Sequence, residues 1–241
     1  MLVIPAIDLL GGKVVRLVEG RRDRATVYSD APGDVARAFV DAGARRIHVV
    51  DLDGAFSGRR ENILAVQQIL AAGAQVQVGG GVRDLDACAR LLDAGAAWVV
   101  VGTLAARDPG AIAHADPALA ARLVVAVDAR DGRVYVEGWD QPTGLDALEL
   151  ARTFAARVAG VLYTDIARDG TGRGPNVDAT ARMARALAPL PVIASGGIGA
   201  LDDLRALAAA GVPACVVGRA LYEGAFTVAD ALAAGRAEPA A

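Results

Sequence analysis

Aromatic residues make up only 4% of this 241-residue chain, histidine and cysteine occur twice each, and Lys13 is its single lysine. A core poor in aromatics has to be built from Val, Leu, Ile and much Ala, and an apolar fraction of 54% is ample for one while excluding an intrinsically disordered chain. The cysteines, Cys88 and Cys215, sit in apolar segments without Cys or His at ligand spacing, which disfavours a disulfide framework or a zinc site and suits a reducing compartment. A net charge of −3 offers no surface for polyanions, so nucleic acid is not an expected partner. The longest charge-free runs, such as Ala94 to Ala106, are too short and too rich in glycine to span a bilayer. The opening Met-Leu-Val-Ile-Pro-Ala-Ile-Asp has no basic residue and carries Asp8, so no signal peptide is expected. The expectation is a soluble cytoplasmic protein without a membrane or metal partner.

What is present is a regular alternation. Short β-branched runs are predicted as strands at Leu2–Ile7, Arg46–Val50, Gln75–Val78, Trp98–Val101, Leu123–Val127, Gly160–Tyr163, Pro191–Ala194 and Ala214–Val217. Most are apolar throughout, which implies burial on both faces and parallel pairing beneath helices. Amphipathic segments fall between them at Asp34–Ala42, Asn62–Ala71, Asp84–Ala94, Leu145–Ala156, Val177–Ala188 and Leu201–Ala210, several ending in the Ala-Gly helix stop. The fourth and eighth helices are weakly patterned. Eight βα units of roughly 30 residues fill the length and indicate a (β/α)8 TIM barrel, with a doubly wound open sheet as the alternative.

An internal repeat favours the barrel. Pro5-Ala6-Ile7-Asp8 is matched by Val125-Ala126-Val127-Asp128, and Val50-Asp51-Leu52 by Thr164-Asp165-Ile166. Gly79-Gly80-Gly81 is matched by Ser195-Gly196-Gly197, and Val101-Gly102-Thr103 by Val217-Gly218-Arg219. The same order at a nearly constant offset suggests a single domain over residues 1–241, built from two half-barrels of four units at about 1–120 and 121–241.

In such a barrel the working residues sit where strands end. Asp8 and Asp128 end strands one and five, which face each other across the mouth, so the two carboxyls can act as base and acid on one substrate. Gly80 and Gly81 with Gly102 and Thr103, and Gly196 and Gly197 with Gly218 and Arg219, form two clusters suited to bringing backbone N–H groups and helix starts to an anion. Together they predict a substrate with a phosphate at each end, one near Gly81 and Thr103 and the other near Gly197 and Arg219. His48 lies in an apolar run and reads as a packed strand residue or a supporting donor, and Lys13, after Gly11-Gly12, as a solvated residue of a loop or hairpin. No paired His, Ser-His-Asp set, Gly-x-Gly-x-x-Gly or P-loop appears, which leaves cofactor-free acid–base chemistry on a sugar phosphate, isomerisation being the simplest.

These residues, with Gly12-Lys13-Val14-Val15-Arg16-Leu17, Gly81-Val82-Arg83, Gly138-Trp139, Arg168-Asp169-Gly170-Thr171 and Gly218-Arg219-Ala220-Leu221-Tyr222, resemble the ProFAR isomerases of histidine biosynthesis over essentially the whole chain. The resemblance implies a cofactor-free Amadori rearrangement of a bisphosphorylated aminoaldose ribotide to its aminoketose. It makes Asp8 the general base and Asp128 the general acid, and Arg16, Arg83, Trp139, Thr164, Asp169 and Thr171 substrate contacts. Asp128, or the pair it forms with Asp8, is then expected to titrate above a free carboxyl. Arg16 and Trp139 are expected to act from long loops that close over the site. A monomer is expected. Three alternatives are weighed: the cyclase subunit of imidazole glycerol phosphate synthase, disfavoured because Ala6-Ile7-Asp8 replaces Cys-Leu-Asp; a dual-substrate isomerase that also takes phosphoribosylanthranilate, disfavoured because Glu137 stands where an arginine is needed; and a non-catalytic phosphosugar-binding protein.

Overall fold

Runs of Val, Ile and Ala that alternate with helices leave a strand only one economical partner, another such strand beside it under the same helical cover. The computed structural model describes residues 1–18, 21–58 and 62–236. In it β1 (Leu2–Leu10), β2 (Arg46–Asp51), β3 (Gln75–Gly79), β4 (Trp98–Val101), β5 (Leu123–Arg130), β6 (Gly160–Asp165), β7 (Val192–Ser195) and β8 (Ala214–Val217) pair in parallel, each with the next. Pairing of Leu2–Pro5 with Ala214–Val217 joins β8 to β1 and closes the ring. This is a (β/α)8 TIM barrel, and the open sheet is excluded by that last pairing.

Alternation along the strands sorts the side chains. Ile4, Ala6, Val100, Val124, Leu162, Ile193, Ala214 and Val216 fill the barrel interior, while Ile7, Ile47, Val49, Val99, Val125 and Val161 point outward into the layer shared with the helices. The predicted helices are found at Pro32–Asp41, Ile63–Leu70, Leu85–Asp93, Val177–Leu187 and Leu201–Ala209. The segment after β4 is broken into Thr103–Arg107, Pro109–Ala113 and Pro117–Ala120, and that after β8 into Arg219–Tyr222 and Val228–Arg236. The expected helix over Leu145–Ala156 is cut down to Ala147–Arg152, because Leu145 and Asp146 belong to a strand and Asp146 caps the helix through the amides of Leu148 and Glu149.

That strand belongs to one of two hairpins added to the barrel; the sequence allows a loop or hairpin at Lys13 but gives only a long loop after β5. After β1 the chain turns back antiparallel as Lys13–Val18 and then Arg21–Ser29; after β5 it does the same as Arg133–Val136 and then Gln141–Asp146. Both hairpins rise from the C-terminal end of the barrel at the two strands that carry the candidate carboxylates.

A polar brace ties the first hairpin down. Asn62, buried, donates from Nδ2 to Asp51 Oδ1 (2.5 Å) and Asp53 Oδ2 (2.9 Å), and its Oδ1 accepts from the amide of Gly12 (2.7 Å). Asp53 Oδ2 also accepts from the amide of Gly11 at 2.7 Å. The same device recurs at β6, where Asn176 Nδ2 donates to Asp165 Oδ2 at 2.8 Å. Asn62→Ala removes one donor from each of two buried carboxylates, which keep the amides of Gly54 and Gly11, and leaves the Gly12 amide without its acceptor. It is expected to lower unfolding free energy by about 2–4 kcal/mol, read as a reduced urea midpoint with an unchanged m-value.

Candidate active site

The C-terminal layer of the barrel interior carries the chemistry. Asp128 from β5, Thr164 from β6 and Ser195 from β7 are in register with one another, and Asp8 from β1 lines the same cavity. Strands one and five are four places apart in a ring of eight, so Asp8 and Asp128 face each other. A cavity of about 250 Å³ opens above this layer. Every predicted site residue lines it except Thr171, whose hydroxyl turns into its own loop to donate to the Arg168 carbonyl (2.6 Å).

Each carboxyl is engaged by the hairpin on its own strand. Arg16 Nη1 donates to Asp8 Oδ2 at 2.7 Å and Nη2 to the Ala6 carbonyl, with the guanidinium 4.9 Å from the centre of the Tyr222 ring. Arg16 is itself 9% exposed, so what was expected as a substrate contact is first of all the partner of Asp8. Thr164, in register beside Asp128, and the Trp139 indole line the same cavity as that carboxyl. Burial pushes the Asp8 carboxyl up against the opposing pull of Arg16, and pushes Asp128 up against the opposing influence of Thr164 and Trp139. A third carboxyl, Asp169 in the loop after β6, is raised to about 7 by burial and by the negative charges of Asp8 and Asp128, with Arg16 holding it back. The site thus keeps three carboxyls close enough to feel one another, with a single buried guanidinium among them.

His48, on the barrel interior one level below Asp8, also lines the cavity. Burial, with Arg16 and Arg46 nearby, lowers it to about 3, so the ring is neutral; its Nδ1 lies 2.7 Å from Gln77 Nε2. It is buried in the strand, as its apolar setting suggested. Lys13 is half-exposed and paired with Asp30 at 2.8 Å, outside the cavity.

The glycine clusters serve a purpose that the sequence did not disclose. Gly81 has φ +68° and a Cβ there would lie 2.4 Å from the Gly54 carbonyl; Gly197 has φ +87° and a Cβ would lie 2.4 Å from the Gly174 carbonyl. Each is pressed against the loop that follows the preceding strand, so glycine is demanded by backbone packing even without a ligand. Beside them, Gly102 and Gly218 begin the helices Thr103–Arg107 and Arg219–Tyr222 with no side chain capping either start, and both glycines face the cavity. The guanidinium of Arg219 pairs with Glu223 at 2.6 Å and donates to the Gly170 carbonyl, while that of Arg83 lies against Gly58. Among the described residues no group of three or more His, Cys, Asp or Glu is arranged to hold a metal ion.

Sequence reasoning missed the Asp51–Asn62 and Asp165–Asn176 braces, although both pairs are separated by eleven residues and so repeat between the halves. It also missed the partnership of Arg107 with Glu137, 2.6 Å apart, which lies on no motif.

Comparison of the sequence with known proteins gives the family. A family profile described as histidine biosynthesis protein matches residues 2–227. The 1-(5-phosphoribosyl)-5-((5-phosphoribosylamino)methylideneamino) imidazole-4-carboxamide isomerase of Moorella thermoacetica is 51% identical over 238 residues, covering 97% of this chain and 98% of the relative. The proteins of the same name from Rhodospirillum rubrum and Dinoroseobacter shibae are 51% and 50% identical, again over 97% of this chain and 98% of theirs. This barrel, with its facing carboxyls and paired glycine clusters, belongs to the histidine biosynthesis protein family.

Proposed function

We propose that this chain is the ProFAR isomerase of histidine biosynthesis, converting that ribotide from aminoaldose to aminoketose by an Amadori rearrangement. One observation carries the reading: a single cavity is lined by two opposed carboxyls and, to either side of them, by the two glycine clusters with their uncapped helix starts. A substrate phosphorylated at both ends has its anions answered at both clusters and its ribose held between Asp8 and Asp128.

In the proposed mechanism Asp128 protonates the furanose ring oxygen and the ring opens to a protonated Schiff base. Asp8 then takes the proton from C2, and the resulting enolamine tautomerises to the ketose. An acid has to start protonated, and the burial that raises Asp128 supports that role. Burial raises Asp8 as well, and Arg16 opposes that rise by favouring the carboxylate a base requires. Asp169, raised to about 7, is half-protonated at neutral pH and faces both; it contacts the substrate and relays protons between the pair. Neutral His48 supplies a hydrogen bond from below. The two hairpins, already resting on the carboxyls, exclude water from the Schiff base. We further propose that the two halves are copies of one four-stranded unit and that the enzyme works as a cytoplasmic monomer.

Glu137 sets specificity. It lines the cavity as a carboxylate held by Arg107, and it opposes the carboxylate of phosphoribosylanthranilate. Purified protein assayed spectrophotometrically with each aminoaldose in turn is expected to turn over ProFAR and to leave phosphoribosylanthranilate untouched. Absence of turnover with ProFAR defeats the reading; turnover of phosphoribosylanthranilate defeats the role given to Glu137.

A further inference from the structure

The tip of the hairpin after β5 is wound against its own preference. Glu137, Gly138 and Trp139 have φ of +56°, +67° and +75°, three consecutive residues in the left-handed region. For a glutamate and a tryptophan that conformation is unfavourable and persists only where surrounding contacts over-determine it. The contacts are there. Arg107 pairs with Glu137 at 2.6 Å and donates to Gln141 Oε1 at 3.0 Å, gripping the tip on both sides of the bend. The Glu137 amide donates to Thr103 Oγ1 at 3.2 Å, and Gly138 packs on Phe56, whose ring carries Arg22 at 4.7 Å. What the bend delivers is the Trp139 indole, set into the wall of the cavity that Asp128 also lines.

We infer that Glu137 is a positioning residue: its ion pair with Arg107, together with its amide bond to Thr103, is the latch that holds Trp139 over Asp128. The latch ties the hairpin to the glycine cluster at the end of β4, because a hydroxyl that accepts from Glu137 keeps its own proton to donate to an anion beside Gly102. With the ion pair gone, Glu137 and Trp139 relax out of the left-handed region and the indole leaves the carboxyl. This goes beyond the charge opposition assigned to Glu137 above, and its effect on turnover rests on the proposed isomerase reading.

The chain has two tryptophans, so in a Trp98→Phe background the emission reports Trp139 alone. Acrylamide quenching of the substrate-free protein is compared for that parent, Glu137→Gln, Arg107→Gln and the double variant. Each single variant is expected to raise the quenching constant about twofold or more and lower kcat by about tenfold, with the double no worse than either single, since a pair broken once is not broken twice. Unchanged quenching in both single variants, or additive effects in the double, overturns the latch. The quenching arm needs no turnover, so a protein that shows the latch but no activity on ProFAR refutes the isomerase reading and leaves the latch standing.

Discussion

Asp8→Asn is expected to leave the protein folded and able to bind, and to lower kcat by about three orders of magnitude, the upper part of what a positioned base supplies. Asparagine keeps an oxygen for the Arg16 Nη1–H, now 2.7 Å from Asp8 Oδ2, so the guanidinium retains a partner and the hairpin keeps its anchor. What disappears is the lone pair that removes the C2 proton. Substrate affinity arises at the two glycine clusters and is expected to change little, so the loss falls on kcat rather than on KM. Asp128→Asn is expected to be comparably severe but to differ in its pH dependence, because it removes the group that has to be protonated at the start. Single-turnover kinetics of both variants across pH distinguish the two. An Asp8→Asn enzyme with the parent's rate and profile would sink the assignment of base and acid.

Much of this site is legible in the sequence because it is built where the sequence signal is strongest. A strand buried on both faces has no freedom to be polar, so β1, β5 and their carboxyl termini at Asp8 and Asp128 stand out against apolar neighbours, and the repeat then puts them on opposite sides of a ring. The hairpin strands are silent for the complementary reason. Arg21–Ser29 and Gln141–Asp146 are mostly exposed, carry no apolar alternation, and are defined by pairing with a neighbour that periodicity does not reveal. With the hairpins hidden, the positions of their cargo are hidden too. The resemblance gives Arg16 as a substrate contact, and a loop or hairpin at Lys13 does not by itself say that Lys13–Val18 pairs with β1 and sets Arg16 on Asp8. The glycines illustrate a different limit: the sequence shows that a Cβ is forbidden at Gly81 and Gly197, but a phosphate and a neighbouring loop forbid it equally well, and only coordinates reveal the carbonyls of Gly54 and Gly174. The carboxyl of Asp169 belongs to the same class, since its environment is assembled from Asp8, Asp128 and Arg16, each on another element.

Asp169→Asn is expected to make the protein more stable and a poorer enzyme, and the two effects have one origin. A carboxyl that titrates at about 7 when folded and near 3.8 when free retains in the native state a proton that the unfolded chain has released. Stability attributable to the group is therefore fully present at pH below about 4, falls as pH rises from 4 to 7, and is constant above that. The shift corresponds to about 4 kcal/mol at full strength; because Asp169 is only partly buried at the cavity wall, about 2 kcal/mol is the expectation. Asparagine has no proton to lose. Urea midpoints of parent and variant are expected to agree near pH 4 and to diverge in favour of the variant by pH 8, and kcat to fall by about a hundredfold once the group facing both Asp8 and Asp128 no longer exchanges protons. Burial is the largest cause of the shift, and the charges that act on it lie within the site: Asp8 and Asp128 push the carboxyl up and Arg16 pulls it down. Were the variant no more stable at pH 8 than its parent, the cluster would not be repulsive, and the picture of three carboxyls sharing fewer than three charges at neutral pH would have to be abandoned.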